Sequence, residues 1–536
     1  MSLAKPFALI SVYDKTNLET LVPALVSGGF DILSTGKTAA WIRNHGFEVT
    51  DVSSYTGEQE HFDGRVKTLH PKIHGGILFN RENPEHIRTA KAGQIRPISV
   101  VVTNLYPFSS EVKKNHLSPD QGIEWIDIGG PSMLRAAAKN WQHCLTLTDP
   151  DDYQDVIQLL ESGGFSHLSS EFRLSMSLKT FQKTSDYDMA IASQFQQWLN
   201  SGTKSNELSP DQEIIHMRLK KVESLRYGEN PHQRAAFYKI ETQSDTWNRF
   251  HQIHGKSLSY NNYADAEAAA LLAHQLGTET VCSVVIVKHG NPCGCAIGES
   301  SGSGLSSVYS RALEGDPKSA FGGIVAMNSC VDLETARKMQ DLFLEVIIAA
   351  DFDTEALALL TSRKNLRLLK ASWLSQPDFK TSQTEIKSML GEVLIQDADS
   401  GISDPKTWTS PTFKQPDSST FRELTFAMKV CAAVKSNAIV ISKQGQIIGI
   451  GAGQMSRIDA LELAVKKATQ SGFSLQGSVM ASDAFFPFGD CVQIATKNGV
   501  LAIVQPGGSV RDHESIEAAD LAGIPMVMTG RRHFRH

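Results

Sequence analysis

The sequence has no apolar run near the roughly 18 residues that a membrane span requires. It also lacks a basic excess. Its 52 Lys and Arg stand against 58 Asp and Glu, a formal net charge of −6, which argues against sequence-independent nucleic-acid binding. The start, MSLAKPFALISVYD, has a short apolar run that breaks at Tyr13 and Asp14, too brief for a secretory leader. Seven cysteines form an odd set without framework spacing, which favours reduced thiols in a cytoplasmic protein. Three chemical signatures are missing as well. Gly36-Lys37-Thr38 ends like a Walker A loop, but Asp31 stands where its first Gly belongs. Gly449, Gly451 and Gly453 begin a dinucleotide fingerprint that fails at Gln454, so a tight turn is expected there. Cys293-Gly294-Cys295 lacks the P-C-x-x-C spacing of zinc deaminases, and no H-x-E occurs in the chain, so structural thiols and no metal are expected.

What is present is an ordinary globular composition, 41% hydrophobic and 21% charged, over 536 residues, enough for roughly three to four domains. Residues 1–150 alternate short β-branched runs (FALISVY, FDILST, FEVTDV) with helix-like stretches such as TAAWIRNHG, the rhythm of βαβ units around a parallel sheet. Ile98 to Thr103 reads as a buried central strand. From Tyr153 to Leu199 the spacing turns helical, a 151–199 extension of the first domain. Residues 200–211 are the best linker. Residues 212–536 form the remainder, divided into two lobes near 404–419, and the similar segments from Ser283 and from Asn437 hint at duplication.

In an open α/β sheet, ligands bind at the carboxyl ends of strands, and helix amino termini there favour anions. Ser11 to Lys15 and Ser34 to Thr38 occupy two such strand ends, which suggests a phosphate pocket. Read singly, each is equally a capped helix start. Gly64 to Pro71 packs Arg65, Lys67 and Thr68 into one loop, Asn104 to Phe108 follows the central strand, and Asp127-Ile128-Gly129-Gly130-Pro131 opens a helix running to Lys139. An Asp before that helix and a Lys within it suggest a buried proton-handling pair, with a solvated ion pair as the alternative.

Further along, Arg226 to Gln233 is a donor-rich turn. Lys288-His289-Gly290 ends an apolar strand, where burial lowers the pKa of both residue types and can free a neutral base. Ser482 to Asp490 sets three Phe around a Pro between two carboxylates, either hydrophobic core or walls for a flat heteroaromatic ring. The basic tail, Arg531 to His536, follows an apolar run that reads as a final strand.

SVYDKTNL, STGKT, GRVKTLHPKIHGGIL, NLYPF and IDIGGPSMLRAAAKN occur in an order and spacing similar to the IMP cyclohydrolase half of the bifunctional purine-biosynthesis family. The Arg226, Lys288 and Ser482 segments, with YNNYADA, DPKSAFGGIVAMN, VKSNAIV and GIGAGQMSRIDA, resemble its AICAR transformylase half. The resemblance runs from near Phe7 to His536. It implies an α/β chain: an amino-terminal methylglyoxal-synthase-like doubly wound parallel sheet, then two cytidine-deaminase-like α/β lobes without zinc. It implies that Ser11, Lys15, Ser34, Gly36, Thr38, Arg65, Thr68, Asn104, Ile128, Gly129 and Gly130 hold the cyclohydrolase nucleotide while Lys67, Tyr106, Asp127 and Lys139 handle protons. In the second half it implies nucleotide binding by Arg226, Tyr227, Asn262, Gly322, Glu345, Arg457, Phe485, Asp490 and Arg532. Chemistry would fall to Lys288, His289 and Asn437, with Ile458 and Pro487 near the folate. The implied partners are AICAR, 10-formyltetrahydrofolate as cosubstrate, formyl-AICAR, IMP and a second copy of the chain, with no tightly bound cofactor, no nucleic acid and no membrane. A nucleotide-dependent kinase or dehydrogenase is disfavoured by the failed motifs, and a non-catalytic nucleotide sensor by the presence of every proton-transfer side chain.

Overall fold

The computed structural model describes residues 4–199, 209–240, 249–300, 304–377, 379 and 384–536. The chain divides into two compact units, Met1–Glu207 and Leu208–His536. Most of the expected linker, residues 200–208, lies outside the described residues.

In the first unit, five parallel strands lie in the order Thr50–Asp51, Asp31–Ser34, Phe7–Ile10, Ile98–Val102, Leu145–Leu147. Alternation along each strand builds a core on both faces. Ala8, Ile10, Ile32, Val100 and Val102 point to one side, and Phe7, Leu9, Leu33, Ile98 and Val101 to the other. Each such side chain contributes about 1.5–3 kcal/mol by burial. Ile98–Val102 is the expected central strand, buried throughout. The chain order reverses between Phe7–Ile10 and Ile98–Val102, which makes their carboxyl ends the topological switch point. The FEVTDV run yields only Thr50–Asp51 before the short helix Val52–Thr56 begins, since an edge position offers one partner strand and two residues of register suffice. The 153–199 stretch is two helices, Tyr153–Gly163 and Ser170–Leu199. The second buries hydroxyls rather than an apolar stripe: Ser177 donates to Ala138 O at 2.8 Å and Thr180 to Thr146 Oγ1 at 2.7 Å.

The second unit is built on one sheet of eleven strands. Its halves repeat. Val281–Lys288 and Asn291–Glu299 form a hairpin, Gly323–Val331 runs antiparallel beside its first strand, and Leu344–Phe352 and Arg367–Lys370 follow in parallel. Ile439–Lys443 and Gln446–Gly451, then Ser478–Ser482, Val500–Gln505 and Met526–Met528, do the same. The halves join where Ala296 pairs with Gln446, and His251–His254 caps the far edge. The hairpins are the two segments whose likeness was noted in the sequence, and the two halves share one strand order. Helices Tyr260–Leu276 and Ser418–Ala432 precede the hairpins and share one core.

Residues 404–419 are folded: Asp404 caps the turn Pro405–Thr407, and Thr409 bridges to Met528. Of the GIGAG glycines only Gly453, at φ 66°, lies in the turn expected, while Gly449 and Gly451 belong to the strand Gln446–Gly451. A Cβ on Gly449 or Gly451 would run into the backbone of Ala464 or Ala460, so these glycines let helix Arg457–Gln470 lie directly on the strand. Cys293 and Cys295 straddle a bulge and face opposite cores, Cys295 with Val285 and Val287 and Cys293 with Val284 and Ile286. That geometry suits structural thiols.

Candidate functional sites

At the switch point of the first unit, Asn104 organises the loop after the first strand. Its Oδ1 accepts from Tyr13 N at 2.6 Å and Asp14 N at 2.9 Å, and its Nδ2 donates to Asp14 O at 2.7 Å. Lys15 is left on the rim, where its ammonium donates to Tyr13 O at 3.3 Å and lies in the field of Asp14. Helix Gly36–Asn44 starts beside this loop without a side-chain cap, so its first N–H groups remain available to an anion. The hydroxyls of Ser34 and Thr38 are not. Both are buried and donate to strand-end carbonyls, Ile10 O at 2.6 Å and Val12 O at 3.0 Å. They therefore fix the cradle rather than fill it. Ser11 donates its N–H to Val102 O at 2.9 Å.

Of the groups expected to handle protons, Lys67 and Tyr106 gather around Asp127. Burial raises its pKa above the usual carboxylate range, against the opposing pull of the Gly130 N–H, 2.8 Å from Oδ1, and of the Lys67 ammonium. Tyr106 is raised by burial and by the Asp127 charge, and its ring meets Tyr13 edge-on at 5.8 Å. A Cβ on Gly36 would sit 3.9 Å from Lys67 Nζ, and one on Gly129 would press on Thr68 Oγ1 at 2.7 Å. The glycines thus bring the Lys67 loop and the helix start together. Arg65 pairs with Glu124, both exposed. A pair of that kind contributes about 0–1 kcal/mol and exchanges readily for a phosphate. Ile128 is exposed beside them. An open depression lined by Leu69, His70, Pro71, His74, Ser132 and Arg135 adjoins the site. In it, burial lowers the His74 pKa, and its Nε2 has no partner.

In the second unit, the turn between Lys288 and Asn291 holds His289 at φ 53° and Gly290 at φ 73°. A two-residue hairpin of this hand needs positive φ at both positions. Lys288 Nζ donates to Gly322 O at 2.8 Å. Nearby, Asn262 Nδ2 donates to Glu345 Oε2 at 2.9 Å, and Arg367 faces the same carboxylate at 3.8 Å. Asn291 Oδ1 accepts from Lys435 N at 2.9 Å and so ties this hairpin to the segment that carries Asn437.

Asn437 belongs to a second, tightly bonded group. Its Nδ2 donates to Gln454 O and Met455 O at 2.9 and 3.2 Å, and its Oδ1 accepts from Arg457 Nη2 at 2.8 Å. Arg457 also donates to Ser482 Oγ at 2.9 Å and to the fully buried Asp483 at 2.5 Å. The tail continues this network: His533 N donates to Asp483 O, Ser436 N donates to Arg535 O, and Arg535 N donates to the Ser436 hydroxyl. It does emerge from a final strand, Met526–Met528. The buried ring of His533 is 2.6 Å from Asp399. Burial pushes Asp399 upward, but His533 and Arg531 hold it below the usual carboxylate range.

Against this geometry stand the known proteins. The family model of the AICARFT/IMPCHase bienzyme matches residues 137–467, and that of the MGS-like domain matches residues 17–132. Proteins called bifunctional purine biosynthesis protein PurH are similar along the whole chain. The one from Prochlorococcus marinus (strain MIT 9515) is 44% identical over 99% of this chain and 100% of its own. That from Persephonella marina is 46% identical over 99% of both, and that from Aquifex aeolicus 42% over 99% and 100%. The chain belongs to the AICARFT/IMPCHase bienzyme family. It is a bifunctional purine-biosynthesis enzyme with AICAR transformylase and IMP cyclohydrolase activities, and the family uses 10-formyltetrahydrofolate as a substrate.

As a bienzyme, the chain separates its expected residues by unit. Lys67, Thr68, Tyr106, Asp127, Gly129 and Gly130 come together in the first; Asn262, Lys288, Gly322 and Glu345 in the second; Asn437 and Arg457 around Asp483. Lys139 does not pair with Asp127. Helix Gly129–Lys139 separates them, with Lys139 exposed at its far end, about 15 Å away at 1.5 Å per residue. The three Phe split: Phe486 is core, while Phe485 and Phe488 are 38% and 45% exposed, so at most those two can offer a planar wall. Pro487 is half-buried between them, and Asp490 Oδ1 accepts from Cys491 N at 2.7 Å. Ile458 packs on the core of the second lobe. Arg226 and Arg532 are exposed, each near an aromatic ring, Tyr227 at 5.4 Å and Phe534 at 4.7 Å.

Three groups escaped the sequence reading. Tyr187 OH accepts from Asp127 N at 2.8 Å and donates to Trp125 O at 3.2 Å. Burial, with the nearby Asp127 and Asp188 charges, outweighs the Asp127 N–H and pushes its pKa up to about 12. Asp483 lay inside a quoted motif, but its partner Arg457 is 26 residues away. Asp399 is 134 residues from His533, and no local signal links them.

Proposed function

We propose that cyclisation occurs at the Asp127 cluster of the first unit and formyl transfer at the Lys288-His289 turn and the Asn437 network of the second. The grouping of ionisable side chains by unit carries this reading. In formyl transfer, the 5-amino group of AICAR attacks the formyl carbon of 10-formyltetrahydrofolate. That amine is conjugated to the imidazole carboxamide and is weakly nucleophilic, so a base must take its proton as the bond forms. His289 fills that role, Lys288 supports the departing folate nitrogen, and Asn437 faces the developing oxyanion. In the structure described, both Asn437 donors rest on carbonyls, so its donation requires one of them to be exchanged for substrate. Proximity of two bound substrates contributes much of the remaining acceleration.

In cyclisation, the carboxamide nitrogen attacks the formyl carbon and water leaves. Burial raises the Asp127 carboxyl above the usual carboxylate range, which suits a group that passes a proton to or from the reacting atoms. Lys67 and Tyr106 activate the nucleophile and the formyl oxygen. Ser11, Lys15, Arg65 and the helix start at Gly36 take the nucleotide phosphate. Lys139 serves from outside the Asp127 cluster. We further assign the protein to the cytoplasm as a homodimer. The folate is a cosubstrate rather than a resident cofactor, and neither metal nor nucleic acid takes part. The exposed Leu174, Leu178 and Phe181 on one face of helix Ser170–Leu199 support self-association.

The decisive measurement uses Lys288→Ala and His289→Ala. Each is expected to abolish IMP formation from AICAR and 10-formyltetrahydrofolate while leaving cyclisation of supplied formyl-AICAR intact. Loss of both reactions together refutes the assignment.

A further inference from the structure

The turn that carries His289 is gripped from below by a carboxylate. Asp265, on helix Tyr260–Leu276, accepts from Gly290 N at 2.6 Å and from His289 N at 3.1 Å, one amide on each oxygen. A non-glycine residue at positive φ is uncommon because its Cβ crowds the backbone. A chelated pair of turn amides is a direct way to hold one there.

The duplicated lobe supplies an internal comparison. Asp265 is the sixth residue past its helix N-cap, Ser259, and Glu423 is the sixth past the corresponding N-cap, Asp417. Glu423 also meets its own hairpin turn, where Gln444 and Gly445 stand at φ 54° and 67°. It divides its oxygens between Gly445 N at 2.8 Å and the Ser442 hydroxyl at 2.6 Å. The second lobe therefore keeps an acid beneath its turn but spends it on one amide and a hydroxyl. In the first lobe both oxygens are spent on the amides that set the His289 backbone.

We propose that Asp265 is a positioning residue for formyl transfer, whose carboxylate chelates the His289 and Gly290 amides and thereby fixes where Lys288 and His289 point. This rests on the reading of those two residues as the formyl-transfer pair. Asn291, at the end of the same turn, carries the constraint to Lys435 and the approach to Asn437.

The test uses the full chain and compares Asp265→Ala, Asp265→Asn and Asp265→Glu with Glu423→Gln and His289→Ala. Asp265→Ala is expected to lower the formyl-transfer kcat about 100-fold, the scale of a misplacement of about 1 Å. The KM for AICAR should stay within about threefold and cyclisation of supplied formyl-AICAR unchanged. Asp265→Asn, which keeps a single acceptor oxygen, should fall between, and Asp265→Glu should recover part of the loss. Glu423→Gln should lower Tm without lowering kcat. If Asp265→Ala or, where that variant does not fold, Asp265→Asn retains wild-type kcat while His289→Ala abolishes transfer, the positioning role is refuted. Equal kcat losses in the Asp265 and Glu423 variants refute it too, because they would report general loosening. Normal transfer by His289→Ala refutes the underlying pair instead.

Discussion

Gly130→Ala sets two effects of known size against each other. Gly130 is the second residue of helix Gly129–Lys139 and has no positive φ, so alanine gains up to about 1 kcal/mol of helix propensity. The new Cβ, however, falls 2.9 Å from Asp127 Cγ and 3.0 Å from Leu105 Cδ2, with its closest approach to Asp127 Oδ2. The carboxyl must swing away, which breaks its 2.8 Å bond from Gly130 N. Overpacking costs about 1–3 kcal/mol and a hydrogen bond to a charged group about 1.5–3 kcal/mol. The clash wins, leaving a net loss of roughly 1.5–5 kcal/mol by these figures. For a unit of this size that lowers Tm by roughly 3–20 °C. Displacing Asp127 should slow cyclisation of supplied formyl-AICAR about 100-fold, with formyl transfer to AICAR unaffected. Thermal unfolding and the two separate assays report each part. A variant that cyclises at the wild-type rate with an equal or higher Tm would show that propensity dominates and that the Asp127 carboxyl is not held where it acts.

Tyr187→Phe removes the phenol that accepts from Asp127 N and donates to Trp125 O. It should destabilise the chain by about 1–3 kcal/mol, the cost of leaving partly buried backbone groups unpaired, and slow cyclisation about tenfold. Urea unfolding together with the cyclisation assay decides, and an unchanged rate sinks the role. Asp127→Asn tests the electrostatics. A carboxyl raised by burial binds more protons folded than unfolded, so its contribution to stability falls as pH rises from the usual carboxylate value through the raised one. The variant should therefore lose cyclisation yet be more stable than wild type at pH 7, with the difference vanishing near pH 4. A variant less stable at pH 7 than at pH 4, relative to wild type, contradicts the sign.

Where the sequence was legible, short-range physics decided the outcome. The buried run Ile98–Val102 and the two alike hairpins are set by neighbours along the chain and appear where the pattern puts them, while the helix expected to open at Pro131 begins two residues earlier, at Gly129. The same local reasoning misjudged groups whose partners lie far away in sequence. Asp127 and Lys139 look paired at a separation of 12, but a straight helix carries them apart. Three Phe around a Pro look like one wall, but Phe486 N bonds to Gln505 Oε1 at 2.8 Å and that ring belongs to the core. The GIGAG glycines resemble a turn because glycine serves both turns and close packing, and only the helix pressed against them distinguishes the two. Tyr187 and Asp399 gave no local signal, and Asp483 showed only as a carboxylate flanking the Phe-Pro segment, since each meets a partner that folding alone delivers.

The repeat bears on why the proposed formyl-transfer pair stands on one hairpin turn and not on the other. Gln444 and Gly445 are covered by the first lobe: Arg311 donates to Gln444 O, and Ile297 donates its N–H to Gly445 O at 2.9 Å. That turn is locked to a neighbouring strand and helix, and a substrate entering it would have to displace both. The His289-Gly290 turn uses its amides on Asp265 instead, from within its own lobe, and Asn291 at its end bonds outward to Lys435 N. Two copies of one architecture thus differ in where the turn is anchored. Anchoring from beneath leaves the outer side of the turn open, with Lys288 resting on Gly322 O, whereas anchoring from the flank closes the equivalent space. The ionisable pair stands in the copy whose turn is held from below, as expected if turn support and catalysis arose together in that lobe.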